Sequence, residues 1–217
     1  MNNILRSVQC FTLASVLALL IPVGAYADSD RLAIGGRFNA LAADGEPAND
    51  MLGVGIYGYY RLKENWFVGV ALDASDFDFE RPHKVLNIIP VMTIDADASS
   101  TSVSAWIERR YERPGKRLDW FWGAGLGFSS IDVDDVTGPV AGGGTFNIKT
   151  DVDTETVLLG SIGYRYPFAN NQWSWQGALR IEQHLADWEV FDRVSGRVDS
   201  IDDYTVKGIH FGIERSF

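Results

Sequence analysis

The chain has 217 residues, a formal charge of −10 and 22 glycines beside 7 tryptophans, 8 tyrosines and 12 phenylalanines. An acidic chain of this kind is a poor match for nucleic acid, whose phosphates call for clustered Lys and Arg. A single cysteine excludes a scaffold stapled by internal disulfides, and the length fits one domain.

The first 27 residues have the layout of a signal peptide. Arg6 supplies a short positive start, Val8 to Val23 is mostly apolar, and Ala25-Tyr26-Ala27 is a small-x-small cleavage site, so the mature chain is expected to begin at Asp28. Cys10 leaves with that segment. No long apolar run follows, so no membrane helix is expected in residues 28–217.

From there the dominant signal is period two, the mark of strands. In RLAIGGRFNAL, Leu32, Ile34, Gly36 and Phe38 share one face, and Ala33, Gly35, Arg37 and Asn39 share the other. LGVGIYGYYRL sets Leu52, Val54, Ile56 and Tyr60 against Tyr57, Tyr59 and Arg61, and WFVGVALDAS sets Trp66, Val68, Val70 and Leu72 against Gly69, Ala71 and Asp73. SVSAWIERRYE opposes Val103, Ala105, Ile107 and Tyr111 to Ser104, Trp106, Glu108 and Arg110. LDWFWGAGLGFS, TVLLGSIGYRY, WSWQGALRIEQHL and the closing stretch from Tyr204 to Phe217 repeat the scheme, giving eight strands. Their connections alternate: short ones at 63–65, 113–117 and 167–172, long ones at about 42–50, 76–101, 131–155 and 186–203. Such sorting separates short periplasmic turns from long outer loops in a transmembrane barrel.

The two faces differ in kind. One carries Trp66, Tyr111, Trp120, Trp122, Tyr164, Tyr166, Trp173, Trp175 and Phe217 near the short-turn ends, an aromatic girdle suited to a membrane interface. The other carries glycines and a nearly balanced ionisable set: Arg37, Arg61, Asp73, Glu108, Arg110, Asp119, Arg165, Arg180, Glu182, His184, His210 and Glu214. Eight strands enclose a lumen that side chains fill. Charges there are expected to pair across it and plug it.

These features make the chain resemble the small eight-stranded bacterial outer-membrane β-barrels, the OmpA-transmembrane-domain, OmpX and OmpW-like group. The resemblance covers nearly all of residues 28–217 and implies an all-β, up-and-down transmembrane barrel with short periplasmic turns and long extracellular loops. It also implies bacterial outer-membrane location and a last strand, ending in Phe217, that the barrel-assembly machinery recognises. Arg215 departs from the aromatic or aliphatic residue usual two places before the end; it is expected at headgroup level, where Arg can snorkel. The expected partners are outer-membrane lipid and lipopolysaccharide, with the chain a monomer and no cofactor.

Function divides three ways: a structural or surface-contact barrel, a small channel or carrier as the OmpW-like resemblance implies, or a lipid A deacylase or acyltransferase. For the last, His184 and His210 with Glu182 and Glu214 are the candidate residues. Both histidines take the inward parity, away from lipid, and no Ser stands two places from either. The outer loops are acidic: DVDDV (132–136) faces TDVDTE (150–155) across the third long loop, with GPVAGGGT at the tip of what looks like a hairpin continuing above the membrane, and further acids stand at Asp95, Asp97, Asp187, Asp192, Asp199, Asp202 and Asp203. Asp132, Asp134, Asp151 and Asp153 form a weak candidate cation site with hard oxygen ligands but no recognised loop motif. FDFERPHKVLNIIPVM (77–92) is unusually apolar for a loop and is expected to cap the barrel mouth.

Overall fold

The computed structural model describes residues 31–44, 48–83, 92–111, 118–139, 145–152, 154–168, 172–193, 196–201 and 203–217. Residues 1–30, which include the expected signal segment, and residues 84–91, 112–117 and 169–171 lie outside these, as do Asp153 and Asp202.

Among the described residues twelve strands form: β1 (Leu32–Asp44), β2 (Ala48–Lys63), β3 (Trp66–His83), β4 (Met92–Tyr111), β5 (Asp119–Val133), β6 (Val136–Pro139), β7 (Thr145–Val152), β8 (Glu155–Phe168), β9 (Trp173–Leu185), β10 (Trp188–Asp192), β11 (Arg197–Ile201) and β12 (Tyr204–Ser216). Eight of them close a barrel in the order β1-β12-β9-β8-β5-β4-β3-β2, every neighbour antiparallel. The ring is sealed between first and last strands, Ala33 opposite Ser216 and Asp44 opposite Thr205. The face assignments read from period two hold in all eight: Leu179, Val70 and Val103 are exposed outward, while Arg37, Asp73 and Gln176 are buried inward.

Four further strands lie in the long connections: β6 and β7 in the stretch read as a hairpin above the membrane, β10 and β11 where the sequence pattern indicates only loop. β6, β7, β10 and β11 make a separate four-stranded sheet at the outer end, in the order β11-β10-β7-β6. The first outer connection is also shorter than expected, because β1 runs to Asp44 and β2 starts at Ala48. The second shrinks likewise: β3 reaches His83 and β4 begins at Met92.

The reason is a change of solvent along β3, β4 and β5. Leu72, Val103 and Phe128 form one outward cross-strand row, and Asp76, Ser99 and Asp132 form another farther out. Apolar thus gives way to acidic on the outer face within a few residues, where hydrocarbon gives way to water. The inner face changes in the opposite sense. Below the boundary it carries Asp73, Ser104 and Glu108; above it, Phe77, Phe79, Ala96, Ala98, Ile131 and Val133 are buried. The wall therefore becomes a water-soluble barrel with an apolar interior, and the outer sheet covers that interior. Phe146 and Ile148 of β7 and Trp188 and Val190 of β10 pack with Leu41, Met51, Phe77, Phe79, Tyr204 and Val206 in one core.

Candidate functional site

The ionisable lumen lies beneath this cap. All of the inward set expected from the sequence point into the barrel, and all but Arg61 and Arg165 are fully buried. They divide into two networks separated by rings.

The periplasmic network centres on Glu214, which is 0% exposed. Arg165 Nε donates to its Oε1 at 2.5 Å, and Arg110 Nη1 lies 3.5 Å from the same oxygen. Arg110 Nε also donates to Glu108 Oε1 at 2.6 Å, and Arg165 reaches Asp119 at 3.9 Å. The Arg110 guanidinium stands over Phe67 at 4.1 Å and Tyr59 at 4.5 Å, and Arg61 stands over Phe67 at 5.2 Å. Buried charges are tolerated when paired and hydrogen-bonded in this way.

A ring layer follows, with Tyr57, Tyr59 and Trp106 in edge-to-face contact at 5.4 and 5.3 Å. The Trp106 indole fits because its cross-strand neighbours on both sides are glycines, Gly69 and Gly125. A Cβ at Gly69 would lie 2.5 Å from the indole, and one at Gly125 2.5 Å from the Trp106 Cβ.

The outer network runs from Arg37 to the cap. Arg37 makes a two-point contact with Asp73, Nε to Oδ1 at 2.8 Å and Nη2 to Oδ2; Asn39 Nδ2 also donates to Asp73 at 3.0 Å. Arg180 lies between Asp73, at 3.6 Å, and Glu182. His184 continues the chain, Nε2 3.2 Å from Glu182 Oε2 and Nδ1 2.8 Å from Glu155 Oε2. Glu155 then accepts from Tyr204 Oη at 3.1 Å and from Trp188 Nε1. One carboxylate so joins three barrel strands to the outer sheet. The sequence placed Glu155 in an acidic loop; it is 2% exposed. Asp192, also read as surface acid, is 1% exposed and accepts from the Asn147 backbone N–H at 3.4 Å. His210 sits apart: it is buried, and neither ring nitrogen has a hydrogen-bond partner among the described residues.

Two small cavities lie among the described lumen residues. A cavity lined by Asn39, Asp73, Ser102, Ser129, Arg180 and His184 measures about 20 Å³, and one beside His210, Tyr59 and Trp106 about 10 Å³. A single water needs about 10–15 Å³.

The remaining expected residues are dispersed. Asp132 and Asp134 are exposed near the end of β5, and Asp151 is exposed on β7, 3.4 Å from Lys149 Nζ. The β6–β7 hairpin forms, but Thr150 to Val152 pair with β10 on the other side. Among the described residues no group of three or more His, Cys, Asp or Glu is placed to hold a metal ion. Phe77 and Phe79 are strand residues of the capped core, not loop; the rest of the apolar stretch, 84–91, lies outside the described residues.

The girdle residues cluster at the periplasmic rim. Tyr111 stacks on Trp120 at 4.6 Å and accepts from Trp122 Nε1 at 3.2 Å; Trp66 meets Trp122 edge-on at 5.9 Å. Trp175 stacks between Phe168 and Phe211 at 5.8 and 5.3 Å.

A closed eight-stranded barrel with an apolar outer band, one aromatic rim and an ion-paired interior defines an integral outer-membrane β-barrel protein. The chain matches the family model for the outer membrane protein beta-barrel domain over residues 11–217, and it belongs to that family. Its fold is similar to solved structures of the same class. A major outer membrane protein from Thermus thermophilus matches with 11% identity and TM-score 0.55, over 86% of this chain and 99% of that one. Neisserial surface protein A matches with 13% identity and TM-score 0.52, over 89% and 100%. The outer membrane protein AlkL in lipid bilayers matches with 14% identity and TM-score 0.51, over 89% and 93%. At these identities the likeness is one of fold. No curated protein sequence matches the chain.

Proposed function

We propose that this barrel is a sealed, non-enzymatic element of the outer membrane that braces the envelope and presents its outer sheet as a contact surface. The observation that carries this reading is the double closure of the lumen. An apolar core fills the mouth, and the described cavities beneath it, about 20 and 10 Å³, have the size of single waters and not of a solute. Export by the leader of residues 1–27, insertion through the last strand and packing among lipopolysaccharide as a monomer complete the reading.

The geometry gives the enzyme reading little support. The nearest polar groups on the His184 nitrogens are Glu155, Glu182 and Tyr204, none of them a serine nucleophile. The channel reading is tested by planar-bilayer recording of the refolded protein. The sealed reading expects a flat baseline; reproducible conductance steps would overturn it.

A further inference from the structure

Two stretches far apart in sequence occupy equivalent places in the barrel. Ile107-Glu108-Arg109-Arg110-Tyr111 ends β4, and Ile213-Glu214-Arg215-Ser216-Phe217 ends the chain at β12. Each lies against a strand that opens on tryptophan: Trp66 is in register with Arg109, and Trp173 with Arg215. Those strands also carry Ala-Leu at the same offset, Ala71-Leu72 and Ala178-Leu179. In the ring order β4 and β12 are four strands apart in either direction, so the two sites stand on opposite sides of the periplasmic rim.

Strand alternation gives the repeated residues opposite tasks. Both glutamates turn inward and meet at Arg110. Both following arginines turn outward, each over two rings. Arg109 lies 5.4 Å from the Trp66 centroid and 5.1 Å from Tyr111; Arg215 lies 5.7 Å from Trp173 and 4.9 Å from Phe217. No described carboxylate forms an ion pair with either, and Arg109 Nε is buried without a hydrogen-bond partner among the described residues.

A guanidinium held against aromatic faces keeps its charge and its planar fork of N–H donors, and that fork matches a phosphate. The aromatic rim sits at the level of lipid headgroups. The opposite rim is unsuited to direct phosphate contact, since Asp76, Asp78, Asp95 and Asp97 are exposed there. We propose that Arg109 and Arg215 are two opposed binding sites for the phosphodiester of a glycerophospholipid in the periplasmic leaflet.

The test is native mass spectrometry of the refolded full-length mature barrel in detergent, titrated with dioleoylphosphatidylglycerol. Two retained lipids are expected, one after Arg109→Gln or Arg215→Gln, and none after both; Lys207→Gln on the other rim keeps two. Arg109→Lys with Arg215→Lys preserves charge for folding but loses the fork, and weakens retention about tenfold. Inorganic phosphate at the lipid's concentration is expected to displace nothing. The proposal is overturned if the doubly substituted Gln barrel, or the Lys pair should the Gln pair not fold, retains lipid like the parent. It is equally overturned if inorganic phosphate competes on equal terms.

Discussion

Arg110 on β4 bridges Glu108, two residues before it at 2.6 Å, and Glu214 on β12 at 3.5 Å, so one guanidinium links strands on opposite sides of the barrel. Glu214 is also held by Arg165 from β8. Removing it leaves the buried Arg110 and the half-buried Arg165 short of a partner. Glu214→Ala is expected to destabilise the barrel by about 3–5 kcal/mol, read from the urea midpoint in micelles. Glu214→Gln, which keeps the shape and one acceptor, should lose less.

Glu155 ties the cap to the wall through Trp188, Tyr204 and His184. The apolar core above it should hold the outer sheet only partly in place once that carboxylate is gone. Glu155→Ala is expected to speed protease cleavage between β7 and β11 several-fold while the membrane-embedded fragment stays intact on a gel. Equal cleavage rates would mean that the core alone fixes the cap.

Gly125 lies where a methyl group would strike the backbone of Ala105 and the Trp106 side chain. Gly125→Ala is expected to cost about 1–3 kcal/mol in the same urea assay, since the indole is buried among Tyr59, Gly69 and Arg37 and has little room to move. Gly177, whose added Cβ would meet nothing closer than 3.8 Å, should accept Ala with a change below about 1 kcal/mol.

Phe217 donates its backbone N–H to Leu32 O at 2.8 Å and lies under Arg215 in the rim. Deleting it removes a bond that closes the barrel seam. Deletion is expected to lower the amount of heat-modifiable protein in outer-membrane extracts, seen as loss of the band that shifts on boiling. Unchanged band intensity would remove Phe217 from the assembly account.

Much of the barrel is legible in the sequence because hydrocarbon imposes a strict outward apolar parity, as in Leu118-x-Trp120-x-Trp122 and Trp173-x-Trp175. The inward ionisable set follows from the same parity. What the pattern does not reveal lies beyond the boundary, where the same alternation changes its chemistry. Phe77 and Phe79 are inward and Asp76 and Asp78 outward, so a strand search keyed to outward apolar residues stops near Ser75. For the same reason β10 and β11 read as loop in the sequence, whereas the facing acidic runs about GPVAGGGT mark the β6–β7 hairpin. Glu155 is hidden in an acidic run, because nothing local marks which of several neighbouring carboxylates is turned inward. The Ile-Glu-Arg repeat is visible in the sequence, but its meaning depends on the register that sets Trp66 beside Arg109 and Trp173 beside Arg215.

β4 leaves hydrocarbon for water between Val103 and Asp97 without leaving the barrel, and β3 and β5 do so beside it. The chain's single cysteine, Cys10, lies in the expected leader, so one introduced thiol in the mature protein can carry a nitroxide cleanly. Val103→Cys and Asp97→Cys, both outward on β4, should be compared by spin-label accessibility in liposomes. The account expects residue 103 to collide with dissolved oxygen from the bilayer and residue 97 with a water-soluble nickel chelate. Nickel-chelate access at both positions would contradict it, since the band around Val103 would then face water and the barrel would not span the membrane.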